Sequence, residues 1–433
     1  MTLKKFLALT AATLVSASLA FAQGGAETST STAQSATQSN LKGTLEYWSS
    51  WNANEMQASV LEKAAKSFQK EHPQVKIHFT FNGRDNRFLV GSALQSGTKV
   101  TMMDANGDNI KGLWADYVED ITPYYGKVYP ETDGKPFEQE ILPSMTALAK
   151  AMFGGKYTYV PYIPQAFMIF CNKSIFEECG ITSYPQTWEE FMQTCETIKQ
   201  HGYIPITSDD RYNTSWFSYY FTRLCGDDAA KKLANDPSAW TDPKVLEAAK
   251  AIEEMAKKGY FDPNIGSNAY PTGQQALVIN GKIAMEINGT WLPNEVYPTT
   301  PEGFKWGAFA FPKVPGGVND QKSGFYGSYG IAINKNATQE EKDAAFAFAV
   351  HITTKFDQQF ADDAKIVPVN VKSVWPANLE EARAVLFNYD TRFPAQGSVK
   401  MNPKSMPIIQ DACQKLMAGT ISAQEFIAQA SKF

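Results

Sequence analysis

The chain has 433 residues, of which 43% are hydrophobic, 20% charged and 13% aromatic, and its formal net charge is −5. This composition is typical of a globular protein, and the length exceeds what one hydrophobic core usually supports, so we expect two domains. The mildly acidic balance and the lack of a basic tract argue against a nucleic acid partner.

The N-terminal residues predict an export signal followed by a linker. Lys4 and Lys5 precede an apolar run too short to span a bilayer, and residues 20–22 are a small-x-small cleavage site. We expect a signal peptide at 1–22 and a disordered polar linker at 23–40. Because no cysteine follows the apolar run and no later run is long enough to span, we expect a periplasmic or secreted protein. It should have no lipid attachment and no direct membrane insertion.

The next elements alternate between strands and helices. A strand over GTLEYWSSW leads to a helix over EMQASVLEKAAKSFQKEH, in which apolar residues recur at helical spacing. The alternating run PQVKIHFTFNG predicts a second strand, and KVTMMDA, after another helix, predicts a third. A βαβαβ order predicts a parallel sheet with right-handed crossovers, and therefore an α/β fold.

Two proline-rich segments predict crossings between domains. YTYVPYIPQAFMIFCNK is interpreted as two extended runs broken by Pro161 and Pro164, and FAFPKVPGG as a second crossing. Beyond it, GSYGIAINKN predicts a strand, which a long helix over 338–358 follows. In VINGKIAMEINGTWLPNE, two Asn-Gly steps bound one short strand, and the second turns the chain tightly into a helix. Thr290 is the expected N-cap of that helix, which begins at Trp291.

Sequence signatures of catalysis are missing. The four histidines do not have metal-ligand spacing, and the chain contains no HExxH, no GxSxG and no phosphate-binding glycine loop. A metal interpretation would rest on Tyr326 and Tyr329, which no histidine accompanies. We therefore predict a non-enzyme without metal or cofactor. The five cysteines are an odd number without a CxxC pair, so a disulfide scaffold is not indicated.

Aromatic, amide and charged residues follow the ends of predicted strands, open predicted helices or flank the GSYG turn, and Tyr162 lies at a predicted crossing between domains. In open α/β sheets, ligands bind beyond the carboxyl ends of the strands. Aromatic rings pack on the C–H face of a pyranose while Asp and Asn bind its hydroxyls, so this set predicts a sugar site. The candidates are Trp48, Trp51, Arg84, Asp85, Asp104, Asn106, Tyr162, Tyr212, Trp216, Trp291, Tyr326 and Tyr329.

Two of these candidates have an alternative role. Trp216 lies within a helical periodicity, so core packing explains it equally well. Asp104 would also serve as the cap of the helix that follows its strand. For Trp48 and Trp291, position at the end of an element favours the site.

Three segments resemble the family-1 bacterial extracellular solute-binding proteins, the maltose-binding-protein-like group. They are VPYIPQAFMIFCNKSIFEECGITSYPQTWEEF, LVINGKIAMEINGTW and GSYGIAINKNATQEEKDAAFAFAVHIT. The resemblance implies a type II periplasmic-binding-protein fold of two lobes, each a mixed sheet flanked by helices, with ligand in the cleft between them. It also implies a monomer that captures a mono- or oligosaccharide and delivers it to the membrane permease of an ABC importer.

The resemblance also implies boundaries and further contacts. It divides the chain into an N-terminal lobe at 41–162 and 318–366, a C-terminal lobe at 167–310 and 372–433, and hinge crossings at 163–166, 311–317 and 367–371. It adds Asn52 to the loop after the first strand. Met406 falls where the maltose-binding pattern has a late aromatic, so one stacking surface is missing and maltodextrin itself is not indicated.

Other functions stay open from the sequence. Arg84, Arg87 and Arg211 would suit an acidic sugar or another anionic solute through bidentate contacts. Asp104 and Asp108 would serve as the paired carboxylates of a secreted glycan hydrolase. An adhesin that binds no small molecule is a further alternative.

Overall fold

The computed structural model describes residues 41–400 and 402–433. The predicted signal peptide and linker lie outside these residues. The strands are β1 (Gly43–Ser49), β2 (Val75–Phe81), β3 (Met102–Asn106), β4 (Tyr159–Asn172), β5 (Ile204–Ile206), β6 (Ile283–Gly289), β7 (Trp306–Phe309), β8 (Ser323–Gly324), β9 (Tyr326–Ile333) and β10 (Thr391–Arg392).

Helices surround the strands and include several pieces of a single turn. The α-helices are α1 (Met56–Glu71), α2 (Asn86–Gln95), α3 (Gly107–Asn109), α4 (Thr122–Tyr125), α5 (Pro143–Met152), α6 (Lys173–Glu178), α7 (Trp188–Gln200), α8 (Thr214–Cys225), α9 (Asp227–Asn235), α10 (Pro243–Lys257), α11 (Thr272–Ile279), α12 (Leu292–Glu295), α13 (Gln339–Lys355), α14 (Asp357–Ala364), α15 (Glu380–Asn388), α16 (Met406–Met417) and α17 (Ala423–Ala430). Shorter 3-10 or π-helical turns lie at Gly83–Asp85, Ile110–Trp114, Pro130–Thr132, Phe137–Glu140, Pro237–Thr241, Tyr297–Thr299, Ala377–Leu379 and Ser398–Lys400. Among the described residues, no helix is both long and apolar enough to cross a membrane.

The strands form two mixed half-sheets that share β4. Their order is β2-β1-β3-β9-β4-β6-β5, with β7 also paired to β4, while β8 and β10 form a separate ribbon. β1 pairs in parallel with β2 and β3, as the βαβαβ pattern predicts. β9 runs antiparallel to β3 and β4, and β6 runs antiparallel to the later part of β4. The predicted α/β class with a mixed sheet in each half is confirmed.

β4 corrects one prediction from the sequence. The two prolines Pro161 and Pro164 do not break the segment, which is one continuous strand. Its register against β9 shifts between Pro161 and Ile163, so Tyr162 is the extra residue of a β-bulge. A proline cannot donate to the ladder, and a bulge is a place where a strand tolerates this loss. The bulge sets Tyr162 near the junction of the two half-sheets.

Two hydrophobic cores accompany the half-sheets. The first gathers residues such as Phe68 and Phe348 around β1 and α13, and the second gathers residues such as Phe217 around α8. Side chains late in β4 alternate between the cores, with Phe167 in the second and Met168 in the first. This alternation follows from the two-residue period of a strand, and it ties both cores to the same backbone.

The long helix expected over 338–358 is two helices. α13 begins after Thr338, whose hydroxyl caps the Glu341 amide in a capping box, and it ends at Lys355. α14 starts at Asp357, with Phe356 between the two helices. The Asp357 carboxylate accepts hydrogen bonds from the backbone amides of residues 369 and 370, so it ties the start of α14 to the following loop.

Candidate functional site

The loop after β1 carries the first of two aromatic clusters. The indole Nε1 of Trp51 donates a 2.6 Å hydrogen bond to the hydroxyl of Tyr162. The Tyr329 ring lies 4.8 Å from the Trp51 ring, and the Arg84 guanidinium lies 4.5 Å above it. We call these four residues the Trp51 cluster. Trp51 itself is buried, so the surface of the cluster is formed by Tyr329 and Arg84.

Asp104 fixes the shape of this loop from the buried side. Its carboxylate accepts hydrogen bonds from the Ser49 hydroxyl at 2.7 Å and the Ser50 amide at 2.8 Å. Burial raises the pKa of Asp104 to about 6, although both of these hydrogen bonds oppose the shift. The side chain is fully buried and does not reach the cluster surface in this conformation. The cap of the next helix is Asn106, whose side chain accepts from the Asp108 amide.

Glu55 organises the exposed side of the Trp51 cluster. Its carboxylate binds the Arg84 guanidinium at 2.6 Å and accepts from the Asn52 side chain at 2.9 Å. Arg84 also donates to the Ser50 carbonyl oxygen. Asp85, next to Arg84, is exposed. The positive charge beside the aromatic rings is therefore already paired with a carboxylate.

The second aromatic cluster is built on the segment after β6. The indole Nε1 of Trp291 donates to the Tyr212 hydroxyl at 2.9 Å. The Phe167 ring lies 5.9 Å from Trp291, and the Tyr270 ring lies 6.4 Å from Tyr212. We call Trp291, Tyr212, Tyr270 and Phe167 the Trp291 cluster. Trp291 is half-buried, so part of its indole is available to a ligand.

Gly289 explains how the Trp291 indole reaches its position. A Cβ on Gly289 would overlap the six-membered part of the indole, so only glycine permits this approach. The prediction that the second Asn-Gly step is a tight turn is wrong, because Asn288 and Gly289 lie within β6. Thr290 is not the N-cap either: its hydroxyl accepts from the Ala166 amide, which ties the segment to β4.

Buried carboxyl groups lie close to the Trp291 cluster. Burial raises the pKa of Glu295, which accepts a hydrogen bond from Gln274 at 3.0 Å. Burial also raises the pKa of Asp209 to about 7 and that of the fully buried Glu286 well above its usual range. Among the described residues, one oxygen of Asp209 and one of Glu286 lack a hydrogen-bond partner. This cluster therefore has an acidic, poorly hydrated surrounding.

The two clusters lie near each other. The charge of Arg84 acts on the Glu295 carboxyl and lowers its pKa against the larger, opposite effect of burial. Gln57 at the start of α1 donates to Asn294 of α12 at 3.4 Å, and the Asn294 side chain donates to the Ala364 carbonyl oxygen. These contacts place the ends of α1, α12 and α14 together beside both clusters.

Besides Asn52, Asp85 and Asp104, which lie next to the Trp51 cluster, five sequence candidates lie outside the two clusters. Trp216 is fully buried among Phe rings of the second core. It therefore has the core-packing role that its helical periodicity also predicts, and not a role in the site. Trp48 is half-buried and, by strand alternation, points to the face of β1 opposite to Tyr47. Met406 begins α16 and is half-buried.

The remaining candidates, Asn106 and Tyr326, are joined to a polar group around Arg392. The Asn106 side chain donates to Gln165 at 3.0 Å, and Arg392 donates to the Tyr326 carbonyl oxygen at 2.6 Å. Arg392 also binds Asp108 at 2.6 Å. Tyr326 and Tyr329 are three residues apart in a strand, so they point to opposite faces and do not share a metal ion.

Sequence reasoning missed four members of this region: Glu55, Phe167, Tyr270 and Glu295. Tyr270 carries the same signal as Tyr212, an aromatic residue in a loop just before a helix, and this signal could have identified it. Glu55, Phe167 and Glu295 show no distinguishing local pattern, because their importance comes from contacts across the fold.

Comparison with known proteins gives consistent matches. The family model described as bacterial extracellular solute-binding protein matches residues 51–359. A binding protein of Brucella abortus is 26% identical over 356 residues, or 80% of this chain and 80% of that protein. The multiple sugar-binding protein of Streptococcus mutans is 25% identical over 346 residues, or 77% and 76% of the two chains.

Solved structures agree in fold. A chitin oligosaccharide binding protein has a TM-score of 0.69 at 20% sequence identity, with 90% of this chain and 98% of that chain covered. A solute-binding protein solved in complex with raffinose has a TM-score of 0.65 at 18% identity, with 90% and 98% covered. At these identities the likeness shows the fold, which is the two-lobe architecture of type II binding proteins.

Proposed function

The chain belongs to the bacterial extracellular solute-binding protein family, and we propose from this premise that it is a receptor for a sugar. In this proposal the sugar, a mono- or oligosaccharide, binds between the two lobes at the Trp51 and Trp291 clusters. The receptor then delivers it, as an extracytoplasmic monomer, to the membrane permease of an ABC importer. The lobe boundaries and hinge crossings given above are part of the same proposal.

One observation carries the proposal. Each cluster contains a tryptophan whose indole N–H is bound by a tyrosine hydroxyl, Trp51 by Tyr162 and Trp291 by Tyr212. A buried indole N–H needs a partner, and satisfying it holds the ring plane in one orientation. Fixed aromatic planes beside amide and carboxylate groups suit the mixed apolar and hydroxylated surface of a pyranose.

The two clusters contribute unequal surfaces. Trp291 is half-buried and is the expected stacking surface, with Glu295 and Gln274 beside it. On the other side, Tyr329, Arg84 and Asn52 offer the accessible groups, and Trp51 supports them from beneath. A ligand that touches both surfaces favours the closed arrangement by its differential affinity, which is sufficient for a hinge mechanism.

The ligands named for similar proteins support the same class. The matched relative from Streptococcus mutans is a multiple sugar-binding protein, and the two structural matches are named for chitin oligosaccharide and raffinose. These ligands differ in length and linkage. We therefore propose a carbohydrate without choosing among sugars.

Binding of an anionic solute is the alternative within the same class. Arg84 is paired with Glu55, which argues for a neutral ligand at the Trp51 cluster. Arg211 stacks on Tyr270 at 4.5 Å and is exposed, so it is the cation that would favour an acidic sugar. Asp209, Glu286 and Glu295 do not repel such a ligand strongly, because burial raises their pKa values and favours their protonated, neutral forms.

Glycan hydrolysis receives less support from the geometry. Asp104 is buried under the loop that it holds, and Asp108 is paired with Arg392. Neither carboxylate is free to protonate a glycosidic oxygen in this conformation. We propose that the protein binds its sugar without changing it, and a product assay on incubated oligosaccharides would detect any cleavage.

A thermal-shift screen against a panel of neutral and acidic sugars tests the proposal. A ligand that binds only the folded state raises the melting temperature by mass action, with about 2.7 kcal/mol of stabilisation at a hundredfold excess over Kd. We expect at least one neutral sugar to raise the melting temperature of the wild-type protein. The proposal fails if no sugar does so while an anion or a peptide does.

A further inference from the structure

His351 of α13 is a fully buried histidine that lacks hydrogen bonds. Neither ring nitrogen has a partner among the described residues. A neutral imidazole carries one donor and one acceptor, and leaving such groups buried and unpaired is unfavourable. A buried imidazole in this state has an unfilled coordination or hydrogen-bonding position.

Two carboxylates stand next to this imidazole. Glu131 Oε1 lies 3.6 Å from His351 Nδ1, and the Glu131 side chain is 2% exposed with Oε2 also unpaired. Glu71, the last residue of α1, completes a group whose ligand atoms all lie within 4.8 Å of one another. A separation of 3.6 Å is too long for a hydrogen bond. It is close to the roughly 3.4 Å between two ligands that each stand ~2.1 Å from a tetrahedral ion.

Lys355 is the cation that this group holds in the present conformation. Its ammonium lies 2.8 Å from Glu71 and 3.9 Å from Glu131, and it forms no bond to His351. The Lys355 side chain is 41% exposed, so it can leave toward solvent without unfolding its surroundings. One ammonium against two carboxylates leaves the group net negative and leaves the imidazole unsatisfied.

We propose that Glu71, Glu131 and His351 bind a divalent transition-metal ion of the zinc class, which replaces the Lys355 ammonium. One imidazole nitrogen and two carboxylate oxygens suit Zn²⁺ better than Ca²⁺ or Mg²⁺, which prefer oxygen ligands only. Three protein ligands leave one position of a tetrahedral ion for water. The ion would join the end of α1, the turn at Pro130–Thr132 and α13.

The site lies away from the sugar clusters and goes beyond the proposed function. α1 begins beside the Trp51 loop and ends at Glu71, and its 16 residues span about 24 Å. The metal therefore has no contact with the sugar. Its expected effect is on the stability of the first half-sheet and its core.

Calorimetric titration of the metal-free full chain with ZnCl₂ tests this site. We expect one ion per chain in the wild-type protein, at least tenfold weaker binding in Glu71→Gln and His351→Leu, and tighter binding in Lys355→Gln. His78→Gln is the matched control, because His78 is an exposed histidine paired with Glu46 at 2.9 Å, and we expect it to bind as the wild-type does. A parallel titration with CaCl₂ should show no binding.

Several results would overturn the site. They are the absence of zinc binding, unchanged affinity in Glu71→Gln, weaker binding in Lys355→Gln, or loss of binding in His78→Gln alone. Because Glu71 is exposed, Glu71→Gln should stay folded. Its zinc affinity therefore tests the site even if His351→Leu does not fold. The melting temperature of the wild-type chain should also rise with zinc and should rise less in Glu71→Gln.

Discussion

The hydroxyl of Tyr162, the bulge residue of β4, accepts the hydrogen bond of the Trp51 indole at 2.6 Å. Tyr162→Phe removes this acceptor and leaves a buried indole N–H unpaired, which costs about 1–3 kcal/mol of unfolding free energy. Because Trp51 supports Tyr329 and Arg84, we also expect sugar affinity to fall severalfold. Chemical denaturation and calorimetric titration measure the two effects. Tyr203→Phe, which removes a hydrogen-bonded hydroxyl at the exposed surface, should change neither, and equal affinities for both variants would contradict the prediction.

Trp291 should be the main stacking surface for the sugar. We expect Trp291→Ala to lower sugar affinity more than tenfold, or by more than about 1.4 kcal/mol, while the fold stays intact. The measurement is calorimetric titration with a sugar found in the thermal-shift screen, with circular dichroism as a check of folding. Trp306→Ala is the control, because Trp306 packs on Phe170 in β4 and belongs to neither cluster. Unchanged affinity in Trp291→Ala would remove this residue from the site.

Gly289→Ala should disturb the same surface without altering the indole. The added methyl group overlaps the Trp291 ring, so the ring must move, and overpacking of this kind costs roughly 1–3 kcal/mol. We expect lower stability and weaker sugar binding together. Gly91→Ala is a matched control, since it lies in α2 with open space around it, and it should stabilise the protein by about 0.5–1 kcal/mol. Normal binding by Gly289→Ala would show that the indole position is not required.

Glu55→Gln separates a neutral sugar from an anionic one. The change keeps the size of the side chain but releases the charge of Arg84 beside the Trp51 cluster. If the natural ligand is neutral, we expect its affinity to change less than threefold and binding of a uronate to strengthen, with a clear dependence on salt. The titration is repeated at low and high ionic strength. A wild-type protein that already prefers uronates and loses them at high salt would instead establish the anionic alternative.

Asp104 should make stability depend on pH in the acidic range. Its pKa in the folded protein is raised by burial to about 6, above the ordinary value of 3.8. The folded state therefore binds this proton more tightly. Protonated Asp104 therefore contributes fully to the unfolding free energy below about pH 4, and this contribution is lost as the pH rises through 6. The loss is about 3 kcal/mol for a shift of this size.

Asp104→Asn provides the comparison, because an amide keeps the acceptor for the Ser50 amide and does not titrate. We expect the wild-type unfolding free energy to fall relative to that of Asp104→Asn between pH 4 and 7, as measured by urea denaturation. Other buried carboxyls, such as Asp357, are present in both proteins and cancel in the difference. Parallel pH curves would show that Asp104 does not titrate as expected.

Local sequence patterns predicted much of the fold because their signals are short-ranged. The alternation of apolar residues in β2 and their helical spacing in α1 predict directly which face each element buries. Proline is a local signal against a strand, but in β4 the neighbouring β9 and a bulge accommodate it, so the local signal predicts the wrong structure there. Phe356 interrupts the helix after α13 without any proline or glycine, so that break was not visible from the sequence.

The candidate site was only partly predictable for a related reason. Position at an element end predicts Trp51, Tyr212 and Trp291, and position at a predicted crossing predicts Tyr162. The structure joins these four residues in two hydrogen-bonded pairs. The pairing itself depends on residues more than seventy positions apart, which no local pattern specifies. Trp216 satisfies the same end-of-element rule, but its helix is buried on all sides and the indole packs in the second core.

The two prolines of β4 have a mechanical consequence. Pro161 and Pro164 have no amide hydrogen, so the stretch that pairs with β9 gives that neighbour fewer cross-strand bonds than its length suggests. Bonds of this kind resist rotation of one strand about its own axis relative to the next. The strand common to both half-sheets should therefore be torsionally softest between Pro161 and Pro164, the stretch that contains the bulge. Relative rotation of the two halves would concentrate at Tyr162, which is also the residue that holds the Trp51 indole.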